Sequence, residues 1–497
     1  MDEFINTVKN QEIPLHPLDT QAAFLNVPYH FFFANDSGKK DFMPNDALRS
    51  AFYTALERFP ILAGYLRSEG QGKTTVVIDR QKLNMPEYLE STSTISFDAL
   101  RVAKFHYSSW PEGLSTTSAI TTAGKDGNIK LLNVHVVRMK DNSGVIIFVN
   151  MPHYVVDGTG FFSFVELWGK YCKAQRQNDS ELLQQANETI LCFDRSLISH
   201  SLPTERKPLD TQTLNVYTGF SPIADWLAWL SPTTRGRLLS KAKFSADVVS
   251  HTFRVSQDKL DKLHEEVSAA MSDKQLHTQD THVLAALISK MVAQAHMKCH
   301  EQGNASAGVA SKITGVFSSL SGLLFGVENT QSLNLLADVR HGLGITDKCY
   351  MGNGLIPHNT QCPLSVLEAT TNIKTLADAT AITSGIYGNA DGPLVASFID
   401  MISARPSCFT RPMVYLSKHP TSLVITNETN FKLYKADFGD GLPEWVCTIP
   451  SFVANFIGFL PSPAISTDIV VNITLKAPVM KHILNDQFWK ELATIVY

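Results

Sequence analysis

The stretch Met151–Gly160 joins a strongly apolar segment to a helical one. The residues before it, Gly144–Asn150, form a continuous apolar run typical of a buried β-strand. The residues after it, Phe161–Tyr171, have the pattern of a helix. We therefore expect an α/β protein in which His153 and Asp157 lie in the loop where a strand meets a helix, a common position for reactive side chains.

The spacing of the two polar residues leaves three interpretations open. A histidine exchanges a proton near neutral pH, so His153 is a candidate general base. The same pattern fits a strand end that carries His and Asp by chance. A metal pair at positions i and i+4 is disfavoured, because no third ligand lies nearby and catalytic zinc uses about three protein ligands. Gly158, next to Asp157, allows a tight turn.

Length and charge restrict the class of protein. A chain of 497 residues is too long for one hydrophobic core, so two domains of ordinary size are expected. Its 44% hydrophobic and 18% charged residues are typical of a globular protein. The net charge of −4 predicts no nucleic-acid partner and no attraction to an anionic membrane.

Cysteine usage and hydropathy predict a soluble, cytoplasmic protein. The seven cysteines are scattered without a C-x-x-C pair, as in a reducing compartment. The first residues are acidic and lack the apolar segment of a secretory signal. The longest apolar stretches, such as Gly315–Val327, are shorter than the about 20 residues that cross a bilayer.

Both halves of the chain mix strand and helix patterns, and we find no strict repeat. In the first half we predict strands over Gln21–Ala34 and Thr74–Ile78, a helix with Asn45 as its N-cap, a hairpin of Asn128–Val137 with Gly144–Asn150, and a polar connector over Ala174–Leu209. In the second half we predict strands over His251–Val255, Ser332–Val339, Leu423–Asn427, Ile449–Phe456 and Thr467–Leu475. The predicted helices there are Lys259–Ala269, one that begins at Thr281, Pro363–Thr380 and Gln487–Val496, with a loop at His300–Ala310.

Two motifs lie far apart: His153-x-x-x-Asp157-Gly158 and the bend Asp437–Pro443, which reads Asp-Phe-Gly-Asp-Gly-Leu-Pro. Together they resemble the His-x-x-x-Asp-Gly and Asp-Phe-Gly-Trp-Gly-x-Pro motifs of the BAHD acyltransferase family, acyl-CoA-dependent enzymes of specialised metabolism. Weaker similarities follow in order along nearly the whole chain: Arg58–Arg67 with "YPLAGRL", Phe193–Leu197 with "DRSLL", Asp338–Arg340 and Tyr350–Asn353 with "DGR…YFGN", and Phe459–Leu475 with the final strand pair.

The resemblance implies a fold and a reaction. The fold is α/β, with two similar chloramphenicol-acetyltransferase-like domains at residues 1–195 and 236–497, a crossover connector at 196–235, and the active-site channel at their interface. The reaction moves an acyl group, other than aminoacyl, from CoA to a hydroxyl or amine of a small molecule. Acyl-CoA is the co-substrate, with no further cofactor and no metal. The implied protein is a cytoplasmic monomer without stable membrane insertion.

The resemblance also implies roles for the residues at the matching positions. His153 is the implied general base, taking the acceptor's proton and returning it to the sulfur of CoA within a ternary complex. Asp157 is expected to form a salt bridge with Arg340 that holds the loop. Thr426 aligns with a residue whose hydroxyl can face the oxyanion, while its neighbour Glu428 replaces a family Trp.

The second motif is implied to be structural. Asp437, Gly439 and Gly441 are expected to form a bend away from the chemistry that supports the domain pair. Asp440 stands in place of Trp, and we expect a large apolar contact to be lost there.

Two other functions stay open. A condensation-type domain joins carrier-bound acyl groups, but its motif has two consecutive histidines and this chain has Pro152 in the first place. A non-catalytic binding relative is disfavoured by the presence of His153 and Asp157, and favoured by Asp440 and Glu428. A serine hydrolase is disfavoured because the sequence has no G-x-S-x-G motif.

Overall fold

A computed structural model describes residues 2–20, 24–70, 72–218, 222–241, 247–273, 275–306, 329–387, 390–405, 421–451, 453–463 and 466–497. We call the residues up to 241 the N-terminal half and those from 247 onward the C-terminal half. The strands are β1 (Gln11–Pro14), β2 (Asn26–Ala34), β3 (Tyr65–Gly70), β4 (Lys73–Ile78), β5 (Glu87–Thr92), β6 (Asn133–Arg138), β7 (Gly144–Pro152), β8 (Val248–Val255), β9 (Thr330–Asp338), β10 (Leu355–Pro363), β11 (Leu423–Asn427), β12 (Trp445–Thr448), β13 (Phe456–Pro461), β14 (Ile469–Lys476) and β15 (Ala493–Ile495).

Helices cover these strands in both halves. In the N-terminal half they are α1 (Asp2–Thr7), α2 (Asn45–Arg58), α3 (Phe97–Val102), α4 (Gly158–Gln177), α5 (Ser180–Glu188), α6 (Ser196–His200), α7 (Thr211–Thr218), α8 (Pro222–Trp229) and α9 (Pro232–Lys241). In the C-terminal half they are α10 (Gln257–Ala270), α11 (Asp280–Ser306), α12 (Val339–Gly342), α13 (Leu364–Glu368), α14 (Ile373–Thr383), α15 (Gly392–Ser403), α16 (Ala477–Asn485) and α17 (Gln487–Leu492).

The strands form two large mixed sheets and one small sheet. The order in the seven-stranded sheet is β10-β9-β11-β13-β14-β8-β15, all from the C-terminal half. The five-stranded sheet has the order β12-β2-β7-β6-β5, and β1-β4-β3 is a separate antiparallel sheet. Within the five-stranded sheet, β7 lies between β2 and β6, and every residue of β7 is buried, as its apolar run predicts.

The chain crosses between the halves after β11. Strand β12 pairs antiparallel with β2, Trp445 opposite Phe32 and Thr448 opposite Tyr29. Leu433 and Phe438 also belong to the hydrophobic core of the N-terminal half. Residues 433–448 therefore hold the two halves together by both hydrogen bonds and apolar burial.

The structure corrects several predictions about the first half. Helix α2 begins at Asn45 itself, with Pro44 at the N-cap and no side-chain cap, because the Asn45 side chain binds Glu90 and Arg138 instead. Helix α4 begins at Gly158, before the predicted Phe161, and extends to Gln177. The predicted connector over 174–209 contains α5 and α6, so it is more regular than its polar composition suggests.

Further corrections concern the second half. The helix predicted over Pro363–Thr380 is broken into α13 and α14. Ile449–Phe456 is not a strand, because β12 ends at Thr448 and β13 begins at Phe456. The closing helix ends at Leu492, where the chain becomes β15 and pairs with β8. Helix α11 runs to Ser306, through the first part of the predicted loop; the rest of that loop lies outside the described residues.

Candidate active site

His153 follows directly after β7, at the edge where the two halves meet. Its backbone N–H donates to the carbonyl of Leu25 at 2.9 Å, which fixes the chain as it leaves the sheet. The residue is half-buried, in contrast to its fully buried neighbours Pro152 and Tyr154. A rigid strand therefore positions an imidazole that is less enclosed than the residues on either side of it.

Asn353, on the segment just before β10, binds His153 from the C-terminal half. Its Oδ1 lies 2.9 Å from Nδ1 of the ring, and its Nδ2 donates to the main-chain oxygen of His153 at 2.6 Å. The same Nδ2 lies 3.1 Å from Oδ1 of Asp19, and the Asn353 backbone N–H donates to that oxygen at 3.0 Å.

This network determines the tautomer of the histidine. The Asp19 carboxylate and a main-chain oxygen can only accept, so they require the NH₂ group of Asn353 to face them. The amide oxygen must then face the ring, and it accepts the hydrogen of Nδ1. The proton of the neutral imidazole lies on Nδ1, and Nε2 keeps a free lone pair.

Burial also keeps the ring neutral. Desolvation lowers the pKa of His153 below its ordinary value, and it outweighs the opposite effects of Asn353, of the Val156 backbone and of the carboxylates of Asp157 and Asp19. At neutral pH the imidazole can therefore accept a proton.

Asp157 has three structural partners. Its Oδ1 accepts from the backbone N–H of Gly160 at 3.3 Å and caps α4. Its Oδ2 lies 2.8 Å from Nη2 of Arg340 and 3.0 Å from the backbone nitrogen of Gly354, and both side chains of the ion pair are buried. The structure thus brings together the expected Asp157–Arg340 pair, and both oxygens of this carboxylate bind groups other than the histidine ring.

A second buried ion pair, which the sequence analysis did not identify, holds the same loop. Arg195 Nε lies 3.1 Å from Oδ2 of Asp19, and Arg195 Nη2 donates to the carbonyl of Val155 at 2.6 Å. The guanidinium groups of Arg195 and Arg340 lie 5.6 and 5.5 Å from the ring of Tyr350. The "DRSLL" similarity contains Arg195, but no pattern in the sequence connects it to Asp19.

Gly158 has a steric role that differs from the predicted turn. Its φ angle is not in the left-handed region, and it is the first residue of α4. A Cβ atom at this position would lie 2.3 Å from Cε2 of Phe431. The absence of a side chain lets the segment after β11 approach the start of α4.

The bend at Asp437–Pro443 lies at the opposite end of α4. Lys173 Nζ is 2.8 Å from Oδ2 of Asp437, and Lys173 lies sixteen residues after Asp157, which along a helix is about 24 Å. Gly439 and Gly441 have φ angles of 98° and 111°, which favour glycine. Phe438 packs against Trp168 at a ring distance of 4.9 Å. The bend therefore contacts the end of α4 that lies farthest from Asp157.

The sequence predicts only that Asp440 loses the apolar contact of a Trp, but the structure shows that Asp440 makes polar contacts of its own. Its side chain is only 3% exposed and binds the guanidinium of Arg176, Lys39 Nζ at 2.6 Å and the backbone nitrogen of Met43 at 2.6 Å. Burial alone would raise the pKa of Asp440, but these donors outweigh it and lower the pKa. An ionic network therefore connects the bend to α4 and to residues 39–43.

Thr426 lies in β11 opposite Gly458 of β13. Its hydroxyl is buried and has no hydrogen-bond partner among the described residues. No contact in the structure joins this hydroxyl to His153. In the part of the chain that the structure describes, no group of three His, Cys, Asp or Glu residues could hold a metal ion.

A comparison with family models shows which family this chain belongs to. The model of the Transferase family matches residues 6–488. Trichothecene 8-O-acetyltransferase of Fusarium sporotrichioides is 23% identical over 313 residues, covering 61% of this chain and 56% of that protein, so this chain matches little more than half the length of its curated relative.

Solved structures show the same fold over nearly the full chain. TRI101 of F. graminearum, in complex with coenzyme A and deoxynivalenol, is 14% identical with a TM-score of 0.71 and covers 98% of this chain and 100% of its own. Vinorine synthase is 16% identical with a TM-score of 0.59, covering 98% and 94%. The two-domain α/β fold is thereby confirmed, and the chain belongs to the Transferase family, the BAHD acyltransferases.

Proposed function

We propose that this protein transfers an acyl group from a CoA thioester to a hydroxyl or amine of a small molecule. The observation that carries the proposal is the contact between Oδ1 of Asn353 and Nδ1 of the half-buried His153 ring, which places the lone pair of the neutral imidazole on Nε2. Family membership and the fold of CoA-binding TRI101 support the same reaction class.

In the proposed mechanism His153 acts as base and then as acid. Nε2 takes the proton of the acceptor as the acceptor's oxygen or nitrogen attacks the thioester carbonyl. The tetrahedral intermediate collapses, the carbon–sulfur bond breaks, and the CoA thiolate takes the proton from Nε2. Asn353 Oδ1 stabilises the transient imidazolium by accepting from Nδ1. The ternary complex suffices, and no acyl-enzyme is needed.

The other residues have supporting roles in this proposal. Asp157, Gly158 and Arg340 hold the loop, while Asp437, Gly439 and Gly441 support the far end of α4. Thr426 has a hydroxyl free to donate to the oxyanion. Acyl-CoA is a co-substrate, so no resident cofactor or metal takes part.

We further propose a cytoplasmic monomer of specialised metabolism, with a first domain at 1–195, a connector at 196–235 and a second domain at 236–497. The crossing of residues 433–448 into the N-terminal core makes the two domains one cooperative unit in this proposal. Within the described ranges, no helix combines the length and the hydropathy needed to span a bilayer.

The test is a screen of several acyl-CoAs against mixed alcohol and amine acceptors, with release of the CoA thiol as the readout. The wild-type protein and the His200→Ala variant, which changes an exposed histidine, should release thiol in the presence of an acceptor. The His153→Ala variant should release thiol about 10²- to 10⁴-fold more slowly. Thiol release that is equal in all three proteins would contradict the proposal.

A further inference from the structure

One carboxyl group at the junction of the halves has no role in the mechanism above. Glu428 follows β11, and its side-chain Oε2 accepts a hydrogen bond from the hydroxyl of Tyr29, which lies 399 residues earlier on β2. The Glu428 backbone nitrogen donates to Phe459 at 2.8 Å, so the extended chain continues one residue past the strand. The residue as a whole is half-buried.

The charge of this carboxyl is not balanced by the described protein. No Lys, Arg or His of the described ranges forms an ion pair with Glu428, and Tyr29 supplies a single hydrogen to a group that can accept several. Burial raises the pKa of Glu428 to about 7. An ionised carboxyl with one neutral donor is poorly compensated when water is displaced from it. A bound cation would supply the positive charge that the carboxylate lacks.

Aromatic side chains extend in a chain of ring contacts from Tyr29, the residue that donates to the carboxyl. The ring of Tyr29 is 5.4 Å from Phe161 and 5.0 Å from Phe162, and Phe162 is 5.4 Å from the half-buried Phe431. Phe431 also covers Gly158, directly after the Asp157 that ends the catalytic loop. A carboxylate beside aromatic rings is the combination that recognises an alkylammonium group, by charge pairing and by cation–π attraction.

The position of Glu428 relative to the chemistry follows from the strand. Thr426 lies two residues earlier, so both side chains are on the same face and about 7 Å apart along the chain. If the Thr426 hydroxyl faces the reacting carbonyl, a cation at Glu428 lies about 7 Å from it.

We propose that Glu428, Tyr29 and Phe431 form an acceptor subsite for a basic nitrogen, and that the natural acceptor carries an ammonium group about 7 Å from the position that is acylated. This inference names the substrate class and rests on the proposed acyl transfer for its place in the reaction. Binding of the cation itself does not depend on catalysis.

Matched compounds test the subsite. 4-(Dimethylaminomethyl)benzyl alcohol carries an ammonium and a hydroxyl at about this spacing, and 4-isobutylbenzyl alcohol is its neutral counterpart; pairs with one carbon fewer and one more complete the series. Binding to the full-length protein is measured by calorimetry at about pH 8, where the carboxyl is mostly ionised and the amine is protonated. We expect the wild-type protein to bind at least one amine about 10-fold or more tightly than its neutral counterpart, the range of a charge-assisted contact.

Three variants separate charge from structure. Glu428→Gln keeps the shape and should abolish the preference for the amine, whereas Glu12→Gln, which removes an equal charge from an exposed pair with Arg67, should retain it. Tyr29→Phe keeps the carboxyl and the ring and should also retain most of it. No preference in the wild-type protein across the series, a preference that survives Glu428→Gln, or equal loss in Glu12→Gln would overturn the proposal.

Catalysis is measured separately, so that the two proposals can fail independently. An amine preference without any thiol release from acyl-CoA would support the subsite and contradict the acyltransferase. Thiol release with equal KM for the two members of every pair would support the acyltransferase and contradict the subsite.

Discussion

The side chain of Asn353 binds His153 at two points, the ring nitrogen Nδ1 at 2.9 Å and the main-chain oxygen at 2.6 Å. The two residues are 200 positions apart and come from different halves of the chain. Asp19, which accepts from the amide of Asn353, determines which face of that amide meets the ring. The chemistry of the histidine is thus set by the contact between the halves.

We expect the Asn353→Ala variant to fold but to lose acyl-transfer rate by about 10²-fold, because the ring is no longer held with its proton on Nδ1. The measurement is kcat, together with the KM for acyl-CoA, which should change little. Asn353→Asp places two carboxylates together and should be at least as impaired. A wild-type rate in Asn353→Ala would show that the tautomer does not depend on this amide.

Removing either member of the Asp157–Arg340 pair should lower both the stability of the protein and the rate of acyl transfer. Replacing either residue by Ala leaves the other charge buried, at a cost of about 3–5 kcal/mol in the free energy of unfolding. Urea unfolding of both single variants and of the double variant measures the coupling. We expect the double variant to be no less stable than either single one; fully additive losses would mean that the two side chains act separately.

Asp440 provides a pH-dependent test at the far end of α4. The folded state lowers its pKa, so its contribution to stability is fully present above the unfolded value of about 3.9 and is lost as pH falls through the lower folded value. Asp440→Asn should therefore destabilise the protein by about 3 kcal/mol at neutral pH. The difference from the wild-type free energy of unfolding should shrink at pH values below about 4.

The same variant should retain its KM values, because Asp440 lies near Arg176, far from His153. A pH-independent difference in stability between the two proteins would argue against the ionic network.

Gly158 allows a test of the contact with Phe431. Gly158→Ala places a methyl group 2.3 Å from the aromatic ring, and we expect a loss of about 1–3 kcal/mol in stability together with reduced activity. Phe431→Leu provides space, so the double variant should recover part of both losses. If stability and activity do not recover in the double variant, Gly158 is required for a reason other than its contact with Phe431.

The sequence was informative where a pattern is local. The apolar run of β7 and the loop with His153 and Asp157 were placed correctly, since side-chain hydrophobicity and proline and glycine positions determine them. The glycines of the second motif also have the expected backbone angles. The Transferase family match then confirms the family that the two motifs resemble.

Contacts between distant segments were not predictable in this way. Asp19, Asn353 and Arg195 meet only after the two halves pack, and no spacing connects them. The prediction for Asp440 considered only the Trp that it replaces. Its partners Lys39 and Arg176 come from a loop and a helix hundreds of residues earlier. Strand β15 reads as helix by its pattern, but pairing with β8 determines its conformation.

The most direct test of the account is the rate of acyl transfer in the His153→Ala variant, measured as acceptor-dependent thiol release from acyl-CoA. Urea unfolding should show a stable protein, because the imidazole is half-buried and its main-chain contacts remain. We predict a loss of about 10²- to 10⁴-fold relative to the wild type and to His200→Ala. A folded His153→Ala protein with undiminished transfer would contradict the central role of this imidazole.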